Sequence, residues 1–378
     1  MRLFLLIFFL LYGAFHLYAF LKARSALAFN PFTGAMLALF MAIMILAPFI
    51  IRLSEKSGLE FFARLMSYIG YTWLGLLFLF ISISLCIDLY RLIIYFAGFV
   101  LKKDFSFINV PIRYAFFIPL GISIIIALYG YFEAKNIRTE KLTIETPKIS
   151  KEIGSLKIVQ ISDVHLGLIV REKRLKRIIA EVKKAVPDIL ISTGDLVDGQ
   201  INELTGLAKL LGEINPKYGK FAVTGNHEFY AGLEQSLRLT EKAGFRILRG
   251  EGLTVAGINI IGIDDPAVEY YGLAKRISEK ELLLKFDQKN FTLFLKHRPL
   301  LDKNSIGLFD LQVSGHIHRG QIFPFSIITA LYYPVNSGVI NLPNNAFFYV
   351  SRGSGTWGPP IRFLAPPEVT LIELIHRE

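Results

Sequence analysis

The first 132 residues are almost continuously apolar, and no other feature constrains the chain more. A hydrocarbon core takes about 20 apolar residues to cross. Four stretches reach that length: 3–20, 34–51, 66–89 and 112–132. The piece 92–100 is too short to span again after Arg91, so it extends the third helix or lies at the interface. Residues 133–378 have an ordinary globular composition, so the 53% apolar content of the whole chain is concentrated in its first third. The expected organisation is a four-helix transmembrane domain over 1–132, a linker with a first strand over 133–150, and a soluble domain over 151–378. Arg2 before an apolar run resembles a signal peptide, but three further spans and no small-residue cleavage site favour an uncleaved first helix.

An even number of spans puts both chain ends on one side, giving an integral, multi-pass membrane protein. With the ends inside, the cytoplasmic loops hold Arg2, Arg52, Lys56, Arg64, Lys135, Arg138 and Lys141. The other loops hold Lys22, Arg24, Arg91, Lys102, Lys103 and Arg113. Basic residues favour the cytoplasmic side, so the balance leans to a cytoplasmic soluble domain. His16 and Asp88 read as interface residues near span ends, with Asp88 pairing Arg91 one helical turn on. Neither suggests a transport pathway. The formal charge of +11 suits anionic lipid, nucleic acid or phosphate-bearing substrates alike. Cys86 is the single cysteine, so no intrachain disulfide or thiolate cluster is available.

Beyond residue 150, apolar strands alternate with helical patterns, which indicates an α/β domain of layered sheets and helices. The strands are 156–162, 188–193, 220–224, 258–263, 291–295 and 311–314. Residues 171–186 form an amphipathic helix with Leu175, Ile178, Ile179, Val182 and Val186 on one face. Its basic residues read as a solvated face. Five of the strands run into polar motifs: Asp163 and His165, Asp195 and Asp198, Asn226 and His227, His297, then His316 and His318. Each motif alone is weak, since Gly-Asp is usually a turn and a lone histidine usually a core residue. Their joint occurrence after strands indicates one site, because rigid strands hold the loops that reach a common ligand. A bridging carboxylate among several imidazoles suits a pair of divalent ions that clamp a phosphoryl group. Mixed nitrogen and oxygen donors point to Mn, Fe, Zn or Co, and away from a pure Mg or Ca site.

Together D-V-H, G-D-L-V-D, G-N-H-E, K-H-R-P and G-H-I-H resemble the calcineurin-like metallophosphoesterase superfamily, over about residues 140–378. The resemblance implies a two-sheet sandwich flanked by helices, and a metal-dependent hydrolase. SDVHLG, GIDDP, SGHIHRGQIFP and the closing YVSRGSGTWGPPIRFLAPPEVTLIEL are similar to a membrane-associated bacterial branch, which includes predicted phosphodiesterases and a UDP-2,3-diacylglucosamine pyrophosphatase. Carried over by motif, the first metal takes Asp163, His165, Asp195 and His318. The second takes Asp195, Asn226, His297 and His316. An extended GHIH segment would point both histidines the same way. His227 is the implied catalytic acid, acting with a hydroxide that bridges the metals beside Asp195, and Asp198 orients ligands from behind.

Glu228 stands where the family usually has Asp, and Ile317 and Arg319 replace the branch's commoner Thr and Gly. Arg298, Arg319 and Arg352 are candidate contacts for a diphosphate or acidic head group, with a solvated surface role the alternative. Trp357 reads equally as packing or as a substrate platform. The expected function is a membrane-bound phosphoesterase acting on a phosphodiester or pyrophosphate, with a nucleotide-diphospho-lipid as the leading substrate. A broad phosphodiesterase or monoesterase is the nearest alternative, and a non-catalytic metal-binding scaffold a further one. Nucleic acid is disfavoured by the membrane domain. Oligomeric state is left open.

Overall fold

The computed structural model describes residues 2–199, 204–274 and 277–378, with side chains from residue 6 onward. Contacts divide the chain into two compact units, Met1–Tyr131 with Gly358–Ile361, and Phe132–Trp357 with Arg362–Glu378.

The first unit is built on α1 (Arg2–Leu27), α2 (Pro31–Lys56), α3 (Glu60–Leu101) and α4 (Tyr114–Glu133). All four are long and apolar enough to cross a membrane. At 42 residues, α3 rises about 63 Å, and the piece 92–100 belongs to it. Asn30 starts α2: its side chain accepts from the Thr33 N–H at 2.9 Å, and Pro31 supplies a preset φ. Small residues let α2 and α3 approach closely, since a Cβ at Gly70 would lie 2.7 Å from that of Ala47.

Two polar residues here differ from expectation. Asp88 pairs with Lys22 at 2.8 Å and accepts from the Tyr18 hydroxyl at 2.6 Å, both on α1, rather than with Arg91. A carboxylate in apolar surroundings is stabilised best by a cation and a hydroxyl donor together. His16 lies mid-helix, 2% exposed, because α1 runs on to Leu27. It is a satisfied core histidine, 2.8 Å from the Tyr12 carbonyl through Nδ1 and accepting from Trp73 Nε1 at 2.9 Å.

Among the described residues, the second unit contains twelve strands in two six-stranded sheets. In chain order they are β1 (Arg138–Thr146), β2 (Ser155–Ile161), β3 (Ile189–Ser192), β4 (Lys220–Ala222), β5 (Arg246–Ile247), β6 (Glu251–Val255), β7 (Ile258–Gly262), β8 (Phe291–Leu295), β9 (Leu311–Ser314), β10 (Gly338–Asn341), β11 (Phe347–Val350) and β12 (Glu368–His376). The sheet orders are β1-β12-β2-β3-β4-β5 and β10-β11-β9-β8-β7-β6. The unit's helices are α5 (Glu172–Ala185), α6 (Thr205–Gly212), α7 (Asn226–Ala231), α8 (Leu233–Lys242), α9 (Ala267–Tyr270), α10 (Glu279–Leu283) and α11 (Phe325–Tyr332).

One core lies between the sheets, where Ile158, Ile191 and Ile372 meet Leu293, Leu295 and Val313. A second joins the outer face of the first sheet to α5 through Val159, Ile161, Leu175, Ile178 and Val182. Strands β3, β4, β7, β8 and β9 are buried on both faces, which is why the central strands read as continuous apolar runs. Val186, expected on the apolar face of α5, is 68% exposed. It caps the helix in left-handed backbone and so leaves the 3.6-residue rotation.

The parallel pairing positions the site. β2, β3 and β4 run parallel, as do β8 and β9. Ile161, Ser192 and Ala222 are register partners at the last residues of their strands. The loops that follow therefore leave the sheet at one level.

Leu293 is fully buried in the central strand β8. Leu293→Ala is expected to cost about 2–5 kcal/mol, measured as a fall in the thermal midpoint of the full chain in detergent.

Candidate metal centre

Each predicted residue follows a strand end. Asp163 and His165 come after β2, Asp195 and Asp198 after β3, Asn226 and His227 after β4, His297 after β8, and His316 and His318 after β9. Five of them hold left-handed backbone: Asp163 (φ 51°), His165 (54°), Asp195 (51°), His316 (77°) and His318 (48°). Such φ values are uncommon for side-chain-bearing residues, and they collect where function over-determines the backbone.

GHIH is accordingly not extended. Ile317 between the two histidines is in right-handed backbone (φ −94°, ψ −6°). This zigzag, rather than strand alternation, turns both rings inward. The loops are tied to each other by Asp163 N–H to Gly194 O and His165 N–H to Asp195 O, both 3.0 Å. Glycine is required where a loop abuts a carboxylate. A Cβ at Gly225 would lie 2.1 Å from Asp195 Oδ1, and one at Gly315 would lie 2.2 Å from Asp163 Oδ2.

Donor atoms converge in three overlapping groups: Asp163, His165 and His318; Asp195, His297 and His316; and His165, Asp195 and His227. The Nε2 atoms of His165 and His318 face each other at 3.0 Å. His316 Nδ1 lies 3.1 Å from His297 Nε2, which is also 3.2 Å from Asp195 Oδ2 and 3.2 Å from Asn226 Oδ1. The Nδ1 of His297 donates to the Thr193 carbonyl at 2.8 Å. That bond fixes the tautomer and leaves Nε2 as the atom directed inward, a usual arrangement for a metal-binding imidazole.

The electrostatics fit a cation. Burial, with His227 nearby, pushes His165 down to about 4. Burial and neighbouring charges hold His316 and His318 well below the usual imidazole range. These rings are neutral and have lone pairs to share. Burial would raise Asp195, but His297 and His227 reverse that and hold its carboxyl well below the usual range. Burial opposes a proton on His297, yet Asp195 and Asp163 draw it up to about 10. Two buried carboxylates thus demand positive charge among otherwise neutral donors, and a divalent ion supplies it.

His227 differs from the other histidines. Its Nδ1 is 2.9 Å from Asp198 Oδ1. Burial disfavours its charged form, but Asp195 and Asp198 outweigh burial and raise it to about 9. Asp198 thus meets the Nδ1 side of His227 directly. The rings of Tyr230 and Trp357 stand edge-on to His227 at 5.2 and 5.8 Å.

Two of the arginine candidates are already engaged. Arg298 makes a two-pronged ion pair with Asp265 at 2.8 and 3.0 Å. Arg352 is held by Glu140 and by Glu368, the latter at 2.6 Å, so it is a structural cation of the first sheet's edge. Arg319 sits in the left-handed turn directly after His318.

Two functional residues escape sequence reasoning. Glu228 accepts from the backbone N–H groups of Asp195 (3.0 Å), Leu196 (2.7 Å) and Gly225 (2.7 Å), and so splices two site loops together. Its longer side chain keeps it outside the donor groups while it holds Asp195. Arg362 is fully buried and donates to His318 Nδ1 at 2.9 Å and to the Arg352 carbonyl at 2.7 Å. Glu228 had a signal in its departure from the family's Asp, whereas the RFLAPP segment around Arg362 carries no ligand spacing.

Gly225→Ala and Asp195→Asn are each expected to lower bound metal in the folded full chain. Elemental analysis of purified protein, with circular dichroism as the folding control, checks this.

A model of the calcineurin-like phosphoesterase family matches residues 156–320. An uncharacterized metallophosphoesterase of Aquifex aeolicus is 40% identical over 255 residues, covering 67% of this chain and 97% of that protein. An uncharacterized metallophosphoesterase of Campylobacter jejuni is 31% identical, covering 81% of this chain and 83% of its own length. A transmembrane protein with metallophosphoesterase domain from Danio rerio is 29% identical over 68% of this chain and 62% of its own. With the converging donor groups, these likenesses identify the chain as a metal-dependent hydrolase that belongs to the calcineurin-like metallophosphoesterase family.

Proposed function

We propose that this protein is a membrane-bound dimetal phosphoesterase that hydrolyses a phosphodiester or pyrophosphate bond of a lipid-linked substrate, with a nucleotide-diphospho-lipid the leading class. The observation that carries the reading is the meeting of two donor groups around buried Asp195. Asp163, His165, Asp195 and His318 hold one divalent ion, and Asp195, Asn226, His297 and His316 hold the other. Mn, Fe, Zn or Co suits these donors. When bound, such a pair neutralises phosphoryl oxygens and lowers the pKa of water enough to provide a nucleophile at neutral pH.

The chain's own residues do the rest. His227 keeps a proton on the ring edge away from Asp198 and delivers it to the leaving oxygen. Asp198 holds the other ring nitrogen and favours the charged form. Arg319, next to His318, binds the second phosphate or an acidic head group, a task for which its fixed charge and planar donors are suited. The four apolar helices support multi-pass membrane attachment, and the basic loop residues support a cytoplasmic active site.

The deciding assay uses full-length protein in lipid nanodiscs, stripped of metal and reloaded with Mn²⁺. Substrates are an aryl phosphodiester, an aryl phosphomonoester and UDP-2,3-diacylglucosamine. Preference for the lipid pyrophosphate is expected. Turnover of the simple esters alone would favour a broad phosphoesterase, and no metal-dependent turnover would favour a scaffold. His227→Ala is expected to lower turnover about 10²–10⁴-fold while retaining metal, with Asp198→Asn lowering it less. Loss of metal from His227→Ala would instead make His227 a ligand. A C-terminal reporter active only outside the cytoplasm would overturn the topology.

A further inference from the structure

The segment that follows the metal-site turn carries an apolar helix that water does not favour. In α11 no residue is buried. Ile327 is 58% exposed, Ile328 50%, Leu331 80% and Tyr332 81%. Ile327, Ile328 and Leu331 follow the i, i+1, i+4 spacing of one helical face. The patch extends beyond the helix. Phe323 is exposed, and its N–H pairs with the Phe363 carbonyl at 3.1 Å, which brings exposed Leu364 to the same edge. Residues 320–351 contain no Asp, Glu, Lys, Arg or His. Within this stretch, residues 323–345 are all exposed or half-exposed; a water-facing surface of that length normally carries charge, and the core-facing helix α5 of the same unit has a strongly charged outer face.

We propose that α11 lies in the interface of the lipid bilayer and seats the metal centre at the membrane surface. The helix is too short to span, and its composition suits the boundary between head groups and acyl chains. Tyr332 at its end, 81% exposed, suits the level where aromatic rings with polar tips collect. The bilayer is also the surface to which this chain is already joined, since only residues 134–137 separate the end of α4 from the start of β1.

Both ends of the helix are fixed to the site. It begins shortly after the His318–Gly320 turn, and it ends at Tyr333, whose ring lies 5.7 Å from that of His316. A helix at the lipid surface therefore presents the donor groups to phosphates at head-group level. This inference deepens the proposed function and rests on its membrane reading, though not on which lipid is hydrolysed.

The test uses full-length protein in phosphatidylcholine–phosphatidylglycerol vesicles. Cys86 is exposed and is first changed, Cys86→Ser. Bimane is then attached at Leu331→Cys or, as a control, at exposed Glu241→Cys. Doxyl-labelled lipid is expected to quench the Leu331→Cys probe at least about threefold more than the control. Quenching of both probes alike by aqueous iodide overturns the proposal. Shielding of the Leu331→Cys probe from both reagents overturns it too, because protein rather than lipid would then cover the helix. In parallel, Ile327→Asp with Leu331→Asp is expected to leave turnover of a soluble aryl phosphodiester within about twofold. Turnover of an acyl-chain-bearing aryl phosphodiester embedded in the vesicles should fall about tenfold or more. Equal loss on both substrates would mean a structural role and overturn the inference. Failure of the wild-type chain to hydrolyse either ester would count against the proposed function alone, since the quenching measurement needs no turnover.

Discussion

Two buried carboxylates, Asp163 and Asp195, sit where the loops of two sheets meet, and both are essentially inaccessible to water. A buried charge is costly unless it is paired, and the imidazoles around these two are mostly driven neutral by burial. Cations at the converging donor groups would complete the balance. Much of the local architecture follows from that need. The backbone enters left-handed conformations at Asp163, His165, Asp195, His316 and His318, and glycines at 225 and 315 leave room for the carboxylates. The Glu228 side chain collects four backbone N–H groups to hold the loops together. The strain and desolvation are local, and the two cores beneath the site offset them.

The division of labour among the histidines also follows from their partners. His297 donates through Nδ1 to a carbonyl and turns Nε2 inward. His227 meets a carboxylate through Nδ1 and is drawn to the charged form. Both rings are drawn toward the charged form, but the carbonyl on His297 leaves its Nε2 among the metal donors, where a bound cation would take the proton's place, whereas the carboxylate on His227 suits that ring to giving up a proton. Arg298 and Arg352 show the same logic among cations, since each is already matched by carboxylates of the fold.

Most of the site was legible because it lies on short motifs after apolar strands. The central strands were readable since burial on both faces makes them continuous apolar runs, and β8 and β9 match the expected bounds. Other features were not readable. β6 and β10 are edge strands with mixed exposure and no apolar run. Asp88 drew its partners from α1, far along the chain, instead of from Arg91 one turn away. Arg362 reaches His318 from a segment with no ligand-type spacing. For Asp88 and Arg362 the deciding contact is long-range, and spacing along a chain does not encode it.

The sequence by itself determined the family, the four apolar helices, the α/β class and the residues that converge, because hydrophobic periodicity and clustered donor motifs are local properties. Only the tertiary structure decided how they converge. Parallel pairing of β2, β3 and β4, and of β8 and β9, brings the loops level. Turns rather than an extended strand aim His316 and His318. The exposure of α11 likewise belongs to the folded chain, because FSIITALY could as well be a core helix until its neighbours are known. Burial is a property of the surroundings, and the surroundings of a residue come from distant parts of the chain.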